Sequence, residues 1–109
     1  MAHDSECVAC DLSALNPAER TRRAALASAV TARFLEVRET SDGYTARLDC
    51  DAALVHDTLE WILLERRCCP FLRLELQWEP SLGPMWLTFG GGAGVKEFLA
   101  AAGFTAREG

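Results

Sequence analysis

Glu65 is followed three and four residues later by the adjacent cysteines Cys68 and Cys69. On a helix that spacing puts all three on one face. The same stripe carries Leu54, Thr58, Trp61 and Ile62, while His56, Glu60 and Arg67 fall on the opposite, polar arc. A carboxylate inside an apolar stripe is costly unless it is paired, protonated or bound to something. Two thiols beside it offer a chemical reason, because thiolates ligate soft metals and attack electrophiles. Cys7 and Cys10, with two residues between them, have the spacing of half a zinc site, and with the central pair they would make four thiolates. Cys10 lies nearer the folded body and is the stronger candidate; Cys7 is the weaker.

The position of the pair selects among chemistries. Pro70 ends the helix at the cysteines, and a helix C-terminus presents partial negative charge that raises a nearby thiol pKa, against whatever Arg66 and Arg67 contribute. That favours ligation, in which the metal itself drives deprotonation. The leading reading is a protein that binds a soft or borderline metal ion or metalloid through Cys10, Cys68 and Cys69. Glu65 would be a fourth ligand or would support the ligands from outside. Zinc, copper(I), mercury(II) and arsenite all suit such a set, and the role would be resistance, buffering or delivery. The alternative is an enzyme, either a thiol–disulfide or peroxide reductase or an organometal-cleaving activity. There Cys68 or Cys69 attacks, the other or Cys10 resolves, and Glu65 shuttles the proton. A third reading is a structural or interaction module with inert cysteines, a homodimer formed through the sheet or an apolar helix face, with Glu65 salt-bridged to an arginine.

Five cysteines cannot all pair within one chain. In a reducing compartment, clustered cysteines read as metal or redox ligands before structural bridges. A vicinal Cys68–Cys69 disulfide would be strained and easily reduced. Cys50 reads as a small buried apolar residue. His3 and His56 are weak candidates, and the three basic residues Arg20, Arg22 and Arg23 read as a solvated helix face.

The elements that must position these residues follow from local signals. Asn16, Pro17 and Glu19 have the pattern of an N-cap, first position and third position of a helix that runs to about Ala32. Phe34–Glu39 and Tyr44–Leu48 alternate on either side of Asp42-Gly43, a hairpin signature. Asp51 caps the helix from Ala52 to Arg67 or Cys68. Phe71–Glu79 and Met85–Phe89 form a second hairpin across Pro80–Pro84, and a last helix from Val95 to Ala102 ends at Gly103. The order α-β-β-α-β-β-α predicts an α+β two-layer domain with one four-stranded antiparallel sheet. Residues 1–11 read as an N-terminal arm and 12–109 as a single domain. Trp61, Trp78, Trp86 and Phe89 read as core, or as walls of a pocket around the thiols. Gly90–Gly94 is a permissive loop that fits no nucleotide-binding pattern, so no organic cofactor is indicated.

At 109 residues the chain has room for one core. A net charge of −5 argues against nucleic acid, whose binding needs phosphate-neutralising Lys and Arg. No apolar run approaches the roughly 20 residues of a membrane span. The first residues lack the basic and apolar parts of a secretory signal, and the expected compartment is the cytoplasm.

Cys10 with Leu12, Glu19-Arg20, the block Glu65-Arg66-Arg67-Cys68-Cys69-Pro70-Phe71-Leu72, Gly83–Leu87 and Gly94–Leu99 resemble a group of small bacterial proteins of unknown function. The likeness extends over most of the chain from Cys10 onward, and the Cys-Cys-Pro-Phe block is its most specific part. It implies that Cys10, Glu65, Cys68 and Cys69 form one constellation, and that Cys7 is an addition here. It carries no activity with it.

Overall fold

The computed structural model of the chain describes residues 8–108. His3 and Cys7 lie outside them. A short 3-10 turn, Leu12–Ala14, precedes helix α1 (Pro17–Thr31), strands β1 (Glu36–Thr40) and β2 (Gly43–Leu48), helix α2 (Ala52–Cys68), strands β3 (Arg73–Trp78) and β4 (Met85–Gly90), and helix α3 (Val95–Ala101). The two hairpins join in one four-stranded antiparallel sheet, as the element order predicts, and the strands lie in the order β1-β2-β4-β3. Arg107 returns to pair with Val37 outside the hairpins, a contact without a local signal.

Strand alternation sorts the two faces of the sheet. Val37, Tyr44, Ala46, Leu48, Met85, Leu87 and Phe89 are buried on the helix side, where they meet Leu26 and Val30 of α1, Leu54, Trp61 and Leu64 of α2, and Val95 and Leu99 of α3. The opposite face carries charged ladders, Glu36 with Arg38 and Arg47, and Arg73 with Glu75. Trp86 is buried on this outer face and not in the core; the Arg38 guanidinium lies 4.6 Å above its ring and covers it. Trp78 also departs from the core expectation. It sits at the end of edge strand β3, 46% exposed, and its indole N–H donates to Cys50 Sγ at 3.0 Å. Cys50 is correspondingly exposed, not buried, because the chain leaves the sheet at Leu48 before α2 begins.

Both helices that carry the site are fixed at their starts. Asn16 and Glu19 form a reciprocal capping box, with Pro17 at the first position of α1. Asp51 accepts the Leu54 N–H at the start of α2. At the far end of α2 the Cys69 N–H donates to Glu65 O at 2.7 Å, and Pro70 follows. The arm is fastened here: the Asp11 N–H donates to Cys68 O at 2.7 Å, and Val8 packs beside Gly94. Gly94 has φ +87°, a conformation that suits glycine and lets the chain turn into α3.

Candidate thiol–carboxylate site

The i, i+4 spacing on α2 stacks Trp61, Glu65 and Cys69, with Cys68 one position before. Cys68 and Cys69 have no exposed surface and Glu65 only 6%. The arm brings Cys10 onto this end of α2. The Sγ atoms of Cys10, Cys68 and Cys69 and a carboxylate oxygen of Glu65 all lie within 4.8 Å of one another, a group that could hold a metal ion. Cys10, Glu65, Cys68 and Cys69, singled out for ligation, are therefore brought together, and Cys7 lies outside the described residues.

Two features of the cluster depart from the sequence reading. Cys10 and Cys69 are joined by a disulfide, so the arm's cysteine is in a bridge and not a free ligand. The bridge spans 59 residues of sequence and leaves Cys68 as the free buried thiol, its Sγ 3.5 Å from that of Cys69. No vicinal disulfide forms. The second departure is Arg23, which is not part of a solvated face. Its Nε and Nη2 donate to the two oxygens of Glu65, each at 3.0 Å, and its side chain is only 21% exposed. Its neighbours in the basic cluster are also engaged: Arg22 pairs with Glu60, and Arg20 donates to the carbonyls of Leu12 and Leu15. Arg67 pairs with Glu19 and not with the thiols.

Glu65 is held from several directions. Besides the fork from Arg23, its Oε1 accepts the Trp61 Nε1–H at 2.9 Å, and its Oε2 lies 3.1 Å from Cys69 Sγ. While Cys69 is in the bridge it has no proton to give; once reduced, its S–H is a donor within reach of that oxygen. The bidentate arginine explains how a carboxylate sits in an apolar stripe, since a buried charge needs a partner and filled hydrogen-bond positions. It also leaves Glu65 less free to ligate a metal directly.

Burial pushes the Cys68 thiol above its ordinary pKa, and the nearby Glu65 carboxylate adds to this, while the Arg23 guanidinium pulls the other way. The free thiol of the cluster is thus harder to ionise than an ordinary cysteine. Arg23, Trp61 and Glu65 also line a cavity of about 280 Å³ between the helices and the sheet, whose other walls include Leu72, Phe89, Phe98 and Phe104. Two of the predicted aromatic walls, Trp61 and Phe89, are there, but the cavity touches the carboxylate and none of the sulfurs. His56 is exposed, away from the site.

No protein-family model, no curated protein and no solved structure matches this chain. No helix among the described residues is long and apolar enough to cross a membrane.

Proposed function

We propose that the reduced protein binds one soft metal ion or metalloid through Cys10, Cys68 and Cys69. The observation that carries this reading is the convergence of three sulfurs and a carboxylate within 4.8 Å at the end of one helix. Because the Arg23 fork and the Trp61 indole already occupy Glu65, the carboxylate supports the ligands from outside and accepts from Cys69 when that thiol is protonated. Three thiolates without a fourth protein ligand suit copper(I), mercury(II) or arsenite better than zinc, which takes four. The Arg23 charge offsets part of the negative charge that three thiolates would gather. The role that such binding would serve is resistance, buffering or delivery in the cytoplasm.

The test uses fully reduced protein in a Cys50→Ser background, because Cys50 is an exposed thiol that would bind soft ions by itself. Copper(I), mercury(II), arsenite and zinc are each titrated against a chelator of known affinity, and bound metal and free thiols are counted. One equivalent of a soft ion, masking three thiols and lost in the Cys68→Ser/Cys69→Ser double variant, is the expected result. Equal uptake by the double variant would overturn the reading, as would no uptake at all. Cys7→Ser is expected to bind as the parent does.

A further inference from the structure

We propose that the cluster performs thiol–disulfide exchange with small organic thiols of the glutathione class, and that the exchange begins at Cys10. The inference rests on the bridge and the packing around it and not on the metal-binding reading. Of the four clustered residues, Cys10 is the one partly open to solvent; Cys68 and Cys69 have no exposed surface. An incoming thiolate must approach the sulfur it attacks, so Cys10 Sγ is the atom it reaches.

In the first step the small thiolate forms a bond to Cys10 Sγ, and the Cys10–Cys69 bond breaks. Its electron pair passes to Cys69 Sγ, which takes up a proton. The new Cys69 S–H lies 3.1 Å from Glu65 Oε2, an oxygen placed to accept it. In the second step another small thiolate attacks the sulfur of the first, releasing the small disulfide, and Cys10 leaves and is protonated. Overall two small thiols are oxidised to one disulfide and the Cys10–Cys69 bridge is reduced to two thiols.

The reverse reaction is equally supported by the fold. Asp11, next to Cys10, is held to Cys68 O by a backbone hydrogen bond that does not depend on the bridge. Opening the bridge therefore leaves Cys10 beside Cys69, and reclosure is an intramolecular step at high effective concentration.

The experiment has two arms, both in a Cys7→Ser/Cys50→Ser background, which removes the thiols outside the cluster. In the first, oxidised protein with the cluster intact is mixed with reduced glutathione, and glutathione disulfide and protein thiols are counted with time. One glutathione disulfide per protein and two new thiols, mapped to Cys10 and Cys69, are expected. In the second, reduced Cys69→Ser is mixed with oxidised glutathione and digested, and the adduct is located by fragmentation. The adduct is expected on Cys10 and absent from Cys68. A bridge that resists glutathione until the protein is denatured would overturn the proposal through the first arm, which needs no cluster variant to fold. An adduct found on Cys68 in place of Cys10 would overturn it through the second.

Discussion

Glu65 is the residue on which the local electrostatics turn. It brings a negative charge into a nearly closed site and is compensated by Arg23 and Trp61. Glu65→Gln keeps the shape but leaves the guanidinium without its counter-charge. Breaking a buried pair costs several kcal/mol, and Arg23 is partly open, so the expected loss is about 2 kcal/mol in urea unfolding. The same change should ease ionisation of Cys68 in the reduced protein. Burial, the larger cause of its raised pKa, remains, but the opposing carboxylate is gone and the arginine stays. The alkylation rate of Cys68 is then expected to rise with its midpoint at lower pH than in the parent; an unchanged or higher midpoint would show that Glu65 does not set that thiol. Trp61→Phe removes one neutral donor to a charged acceptor and should cost about 1.5–3 kcal/mol, with the site's geometry otherwise kept.

Two helices deliver the cluster, and each is specified mostly by its own residues. Asn16 accepts the Glu19 N–H at 2.8 Å and Glu19 accepts the Asn16 N–H at 2.9 Å. Asn16→Ala should cost about 1 kcal/mol and lower Tm by about 5 °C in a thermal scan. A change near zero would mean that packing alone holds the start of α1. This part of the fold was legible because capping residues, the Asp42-Gly43 turn and strand alternation act over a few positions. The partners across the site were not. Arg23 and Glu65 lie 42 residues apart, and nothing local separates the arginine that turns to Glu65 from its neighbours, the exposed Arg22 and the half-buried Arg20 that donates to backbone carbonyls. Trp78 reads as core from its alternating spacing and Cys50 as buried from the common fate of a free cysteine; an edge strand that ends at the sheet's corner leaves both exposed. The convergence of Cys10 with Cys68 and Cys69 was readable as residue chemistry, whereas the bridge that joins two of them depends on tertiary geometry.

Across the whole molecule, ion pairs and the bridge set how stability responds to solution conditions. Arginine partners hold four carboxylates below their ordinary pKa: Glu19 by Arg67, Glu36 by Arg38, Asp42 by Arg73 and Glu60 by Arg22. As pH falls through the ordinary carboxylate range, about 4, the unfolded chain takes up protons before the folded one does. Their contribution is therefore present at neutral pH and lost in acid as pH drops through the lowered values. Tm should fall between pH 5 and pH 3 by these groups, and more shallowly at high salt. The bridge acts on the other side of the equilibrium. It ties residues 59 apart and so restricts the unfolded chain, for which the loop-entropy relation gives about 4 kcal/mol. Under a strong reductant the midpoint of urea unfolding should therefore move down by an amount equivalent to about 2–4 kcal/mol, and Cys10→Ser should match it without further change on reduction. Cys50→Ser should leave the midpoint where it is. The packing of Val8 beside Gly94 and the Asp11–Cys68 hydrogen bond do not run through the bridge and are expected to outlast it, so near-ultraviolet signals from Trp61 should persist below the new midpoint. Loss of those signals on reduction alone would show that the bridge holds the arm and the end of α2 in place, and that the reduced cluster must be reassembled by whatever binds it.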